Sequence, residues 1–137
     1  MNGHFAPPKP PEALTSGQAA EARALEALHL PKNTAVWRPS PAQIASPHFR
    51  EVVGDPHYTS TGLVRGTVPD SVAAGLAEIK SGGSVLDSSY QLRLQAYRAL
   101  EEKRPLTIYT SRPVGPGFRR WLGPHGVAVK PLPEPEP

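Results

Sequence analysis

Pro69, Asp70, Glu78 and Lys80 have the types and spacing to do chemistry together. In a strand alternate side chains share a face, so across GLAEIK (75–80) Leu76, Glu78 and Lys80 point one way while Ala77 and Ile79 point the other. A carboxylate and an ammonium then sit side by side. If the preceding strand ends at Pro69-Asp70 and the chain returns antiparallel, Asp70 arrives near Glu78. Two carboxylates and a lysine suit phosphodiester hydrolysis. A hard cation, Mg²⁺ or Mn²⁺, takes oxygen ligands, bridges to the phosphate and neutralises charge developing in the transition state. Asp70 and Glu78 are the expected ligands, helped by the backbone carbonyl of Ile79, and Lys80 stands beside the attacking water or the phosphate. The plainer alternative makes Glu78 and Lys80 an exposed pair on an edge strand and Asp70 a turn residue after proline.

Those residues need elements to hold them. The β-prone run Tyr58 to Val68 and the run 75–80 read as two strands joined around Asp70, that is, a hairpin. Gly82 and Gly83 end the second strand. Asp87 or Ser88 then caps a helix carrying Leu92, Leu94, Ala96, Tyr97 and Leu100 as far as Lys103. Upstream, Ser16 is a plausible N-cap, and Ala19, Ala20, Ala24, Leu25 and Leu28 recur at helical spacing until Pro31, predicting a helix over 17–29. A short strand is expected over 34–38, and then loop with helical turns to about 56, where Pro39, Pro41 and Pro47 break the chain. LTIYT after Pro105 reads as a buried strand, 117–122 as a short helix and 127–129 as a closing strand. The pattern is α/β, with a central mixed β-sheet flanked by helices.

The 137 residues are room for one compact domain, and 18 prolines put much of the chain outside regular structure. Residues 1–15 read as a proline-rich linker, 16–131 as the folded domain and 132–137 as an acidic, proline-rich tail. A linker followed at once by a compact domain is expected where a domain ends a longer polypeptide. The absence of cysteine excludes disulfides, thiolate metal sites and thiol nucleophiles. No run approaches the roughly 18 apolar residues of a membrane span. A net charge of +3 fits a polyanionic partner without requiring one.

Further candidates surround the central four. Gln91 and Gln95 lie four apart on the inner face expected for the second helix, where Gln91 would hold phosphate or the attacking water. Arg93, Arg98, Arg112, Arg119, Arg120 and Lys130, with Phe118 and Trp121 among them, offer a basic rim for a phosphate backbone. Ordinary solvated charge explains any one of them equally well. The histidines show no metal-ligand spacing, although His57-Tyr58 would serve as an acid/base pair in a metal-independent ribonuclease.

With these residues in place, the chain from Gly17 to Val129 resembles the PD-(D/E)xK restriction-endonuclease-fold toxin domains at the C-termini of bacterial polymorphic toxins, among them Rhs-type, contact-dependent and type VI secretion effectors. The resemblance rests on Glu21 in GQAAEARALEALHLPKN, Pro69 and Asp70 in RGTVPD, Glu78 and Lys80 in AEIKSG, Gln91 to Arg93 in SYQLRLQ, and Arg104 to Tyr109 in RPLTIY. It implies a restriction-endonuclease-like fold and a Mg²⁺- or Mn²⁺-dependent endonuclease acting on nucleic acid, DNA favoured. It also implies secretion as part of a larger polypeptide, action in the cytoplasm of a rival cell, and a cognate immunity protein that holds the toxin inactive in the producer. Glu21 would be the helix carboxylate of the site, with Glu26 and Glu51 as alternatives. A binding module that keeps the fold without the catalysis is the reading from another class.

Overall fold

A computed structural model of the chain describes residues 15–133. The expected linker, apart from Thr15, and the end of the expected tail lie outside the described residues.

The first helix, α1 (Ser16–Leu28), is capped by Thr15, one residue before the expected Ser16. Gln18 N–H donates to Thr15 Oγ1 at 3.1 Å, and Thr15 N–H donates back to Gln18 Oε1 at 3.0 Å. It stops at His29, whose left-handed backbone closes the last turn before Pro31. The proline-broken stretch forms two short helices, α2 (Pro41–Ile44) and α3 (Pro47–Val52), each entered through a serine cap and a proline in the first turn.

Three strands follow, β1 (Leu76–Lys80), β2 (Leu106–Thr110) and β3 (Val127–Pro131), in the order β1-β2-β3. Helix α4 (Tyr90–Glu102) joins the first two and α5 (Pro116–Leu122) the last two. Each connection contains a helix, so every strand returns in the same direction, and both pairings are parallel.

The expected mixed sheet is therefore corrected: the described sheet is three-stranded and parallel. The antiparallel partner expected from Tyr58 to Val68 is absent because that segment folds on itself. Thr59 N–H donates to the Leu63 carbonyl at 2.7 Å, the Thr59 hydroxyl accepts from Leu63 N–H, and Gly62 turns the chain with φ 85°. This local turn closes the single Tyr58–Val64 bridge and uses up the β-prone residues. The expected strand over 34–38 is likewise one bridge, Trp37 to Thr67. What survives of the hairpin is the bridge between Ser71 and Ala77 on the outer edge of β1.

Helices cover one face of the sheet and the β1 end of the other, while β3 is exposed beyond Val127. Leu76, Leu106 and Ile108 face the main core with Leu92, Leu94, Ala96 and Tyr97 of α4 and with Phe118 and Leu122 of α5. Ile79 faces the other way, onto Ala24 and Leu25 of α1. Leu94 and Ile108 are fully buried, each worth about 1.5–3 kcal/mol of transfer from water. No described helix is long and apolar enough to cross a membrane.

Candidate active site

The site lies at the outer edge of β1, toward the carboxyl end of the parallel strands, where open α/β sheets hold their ligands. Leu76 N–H donates to the Pro105 carbonyl and Lys80 accepts from Ser111 N–H, so the even-numbered residues of β1 bond to β2. The odd-numbered ones bond outward. Ala77 exchanges bonds of 3.0 and 3.2 Å with Ser71. At the next outward position Ile79 N–H donates to the carboxylate of Asp70, 2.7 Å from Oδ2. The Ile79 carbonyl points the same way as its N–H, toward the Asp70 side.

Glu78 is buried on the core-facing side of β1, with Lys80 Nζ 3.4 Å from its Oε2. Its Oε1 is buried without a hydrogen-bond partner among the described residues. Burial first, and then the charge of Glu78, push the Asp70 carboxyl from its ordinary 3.8 up to about 8. The Ile79 N–H opposes that shift, and Glu21 adds a smaller push in the same direction as Glu78. Asp70, Glu78 and Lys80 therefore meet, as the alternation in GLAEIK and the Pro-Asp position suggest.

Glu21 of α1 reaches the same region and is paired with Lys32. The Glu21 hydrogen bond holds the Lys32 ammonium above its ordinary range against the cost of burial, and the charges of Glu21 and Asp70 add to the effect. Lys32 and its neighbour Asn33 are the site residues that sequence reasoning missed. Asn33 Nδ2 donates to the Pro69 carbonyl at 2.9 Å and Asn33 N–H to the Asp70 carbonyl at 2.8 Å, fastening the Pro-Asp step to the segment that follows α1. Glu26 and Glu51 are exposed and make no ion pair among the described residues.

Asp70, Glu78 and the Ile79 carbonyl are oxygen donors of the kind that Mg²⁺ or Mn²⁺ takes. Glu78, with its orphaned buried oxygen, raises the proton affinity of Asp70, and Mg²⁺ is commonly bound through one or two carboxylates plus substrate phosphate. Among the described residues no three of His, Cys, Asp and Glu gather around one point, so Glu21 stays with Lys32 and the Ile79 carbonyl is the available third oxygen.

Gln91 is exposed and lines a separate cavity with Arg38 and Arg65; its helical neighbour Gln95 is the buried one and donates to Thr67 Oγ1 at 3.0 Å. Arg93 ties α4 to the Val53 carbonyl and Ser88. Arg98 pairs with Glu102 at 2.9 Å and lies over the Trp37 ring, and Arg112 holds Ser84. Arg119, Arg120 and Lys130 are exposed on α5 and β3. None of these bases hydrogen-bonds to Asp70 or Glu78 in the described structure. His57 stacks flat on Tyr90, ring centroids 4.0 Å apart, and makes no ion pair with a described acid. Comparisons with family models, with curated proteins and with solved structures find no match for this chain.

Proposed function

We propose that this chain is a Mg²⁺- or Mn²⁺-dependent endonuclease with a restriction-endonuclease-like fold, hydrolysing phosphodiester bonds of nucleic acid. The observation that carries it is the clamp of Asp70 on Ile79 N–H with Glu78 facing it and Lys80 3.4 Å from Glu78. The bound metal would supply Lewis-acid neutralisation of the phosphate oxygens. Asp70, Glu78 and the Ile79 carbonyl would hold it. Lys80 places positive charge where the attacking water loses its proton and where the pentacovalent phosphorus gathers negative charge. Lys32 orients Glu21 beside Asp70.

The biological setting follows from the resemblance of Glu21, Pro69-Asp70, Glu78-x-Lys80 and Gln91 to polymorphic-toxin nuclease domains. The domain would be delivered as part of a larger secreted polypeptide, act in the cytoplasm of a competing bacterium, and be neutralised by an immunity protein with an acidic face.

The test is incubation of the purified protein with plasmid DNA and with RNA, in Mg²⁺ and in EDTA, beside Lys80→Ala and Asp70→Ala. Cleavage only by the wild type in Mg²⁺ is expected. Cleavage that survives EDTA would point instead to the metal-independent ribonuclease with His57, and no cleavage by well-folded wild type would leave the binding module. In cells, expression should arrest bacterial growth and Glu78→Ala should relieve the arrest.

A further inference from the structure

Arg38, Thr59, Arg65, Thr67, Val68 and Gln91 line a cavity of about 390 Å³ that contains no acidic side chain. Arg38 spends its Nε on the Val64 carbonyl at 3.2 Å, which leaves its terminal nitrogens pointing elsewhere. Arg65 makes no side-chain hydrogen bond, and neither arginine is ion-paired among the described residues. Two guanidinium groups, a hydroxyl and an amide around one concavity are donors of the kind that recognise a phosphate.

The cavity wall is held by hydrogen bonds and close packing. Trp37 and Thr67 exchange backbone bonds of 2.8 Å, Gln95 holds the Thr67 hydroxyl, and Gly66 packs so closely on Trp37 that a Cβ there would overlap the Trp37 carbonyl. The same wall runs through Val68 and Pro69 into Asp70, so the Cα atoms of Val68 and Asp70 are at most about 7 Å apart.

On its far side Arg38 is shared with a second cavity of about 480 Å³, an apolar one lined by Pro39, Pro41, Ile44, Tyr58 and Leu63. Tyr58 and Leu63 are half exposed, 53% and 51%. A basic hollow beside an apolar, aromatic one matches the alternation of phosphate and base along a single strand. In a duplex the base is stacked and paired, and its flat face cannot enter a side pocket while its own phosphate sits next door.

We infer that the Arg38–Arg65 groove binds a backbone phosphate flanking the scissile one, and that the cavity at Tyr58 takes the unpaired base attached to it. The substrate class is then single-stranded nucleic acid, or a duplex opened at that point. The assignment of the phosphate as neighbour to the cut rests on the nuclease reading; the groove itself does not.

The test is fluorescence anisotropy of labelled single-stranded DNA, single-stranded RNA and duplex DNA of one sequence, in EDTA, across a salt series. The proteins are wild type, Arg38→Ala, Arg65→Ala, Tyr58→Ala and, as a control on the exposed face of α1, Arg23→Ala. Single strands should bind more tightly than duplex. Each groove arginine removed should reduce the log–log salt slope by about 0.7. Tyr58→Ala should weaken binding at least about fivefold, and Arg23→Ala should change neither. Thermal unfolding checks the fold, and Arg65→Ala, which breaks no hydrogen bond, carries the conclusion if Arg38→Ala is unstable.

Wild-type binding to duplex alone, no binding, or wild-type behaviour of Arg65→Ala and Tyr58→Ala would each overturn the groove. Cleavage in Mg²⁺ is scored separately: a protein that binds as described and does not cut keeps the groove and loses the nuclease, and the converse result does the reverse.

Discussion

Asp70 and Ile79 are joined as two strands would be, except that a side chain stands in for one of them. The Ile79 N–H that a neighbouring carbonyl would accept is taken by Asp70 Oδ2 at 2.7 Å, one outward step beyond the Ser71–Ala77 pair. The bond fixes the carboxylate beside Glu78 and opposes, without cancelling, the upward push that burial and the Glu78 charge exert on its pKa.

A pH dependence follows. Because the folded-state value of Asp70 is raised, to about 8 from 3.8, the native chain keeps a proton that the unfolded chain releases. Between those values the unfolded state binds fewer protons, so stability is fullest below about pH 4 for this group and is lost as pH rises through about 8. Thermal midpoints of the metal-free protein should fall over that window. Asp70→Asn should flatten the fall, and Mg²⁺ should raise the midpoint most at the alkaline end, where both carboxylates are ready to bind it. A wild-type profile parallel to that of Asp70→Asn would contradict the account.

Glu78→Gln should stabilise the fold while destroying the activity. The amide keeps the shape and removes the carboxylate whose charge pushes Asp70 up and whose Oε1 is buried without a partner. Loss of the Lys80 contact at 3.4 Å offsets part of the gain, leaving about 1 kcal/mol at neutral pH in the absence of metal, within the range that functional sites give up for chemistry. Denaturant unfolding measures the gain and Mg²⁺-dependent cleavage the loss, expected at about 10²-fold or more. A destabilised Glu78→Gln would mean that the carboxylate pair is a structural ion pair with Lys80 and not a ligand set.

Much of this geometry was legible in the sequence, because it depends on short-range periodicity. The alternation in GLAEIK places Glu78 and Lys80, and the apolar spacing marks both helices, α1 starting one residue before the expected position and α4, capped by Ser89 rather than Asp87 or Ser88, one or two after it. What was not legible depends on partners far away. Asn33 and Pro69 meet across 36 positions, and nothing local to Lys32-Asn33 signals it. The Tyr58–Val68 segment has strand propensity, but the Thr59 hydroxyl and Gly62 offer its backbone a closer partner in its own turn. Gln91 and Gln95 are in similar phase on α4, yet Gln91 sits in the first turn, beyond the edge of the core, and so opens into the Arg38–Arg65 cavity.

Gln95 and Thr67 form a buried pair that locks the groove wall to α4. Thr67→Val leaves the Gln95 amide without its acceptor at 3.0 Å and should cost about 1–3 kcal/mol. Gln95→Met should cost less, since it also removes an amide oxygen that already lacks a partner. In a double-mutant cycle the pair should be non-additive by about 1 kcal/mol or more, the double variant being more stable than the two losses summed. Strict additivity would show that the two side chains do not support each other.

The turn that carries the chain from Asp70 back into β1 depends on Gly75. Its φ is 78°, and a Cβ there would stand 2.8 Å from Pro105 Cγ and 2.9 Å from the Pro105 carbonyl. That carbonyl already accepts from Leu76 N–H, and the Arg104 guanidinium reaches the carbonyls of Val72 and Gly75, so neither side can retreat without breaking bonds. Gly75→Ala combines left-handed strain with overlap and should cost about 2–4 kcal/mol. Lys103 is the useful contrast: it also holds a left-handed backbone, φ 55°, at the end of α4, but its side chain is exposed, so Lys103→Gly should gain about 0.5–1 kcal/mol. Because the Gly75 turn sets the Ser71–Ala77 register, Gly75→Ala should also lower Mg²⁺-dependent cleavage in the protein that remains folded, whereas Lys103→Gly should leave cleavage unchanged. Equal cleavage per folded molecule in both variants would separate the turn from the positioning of Asp70.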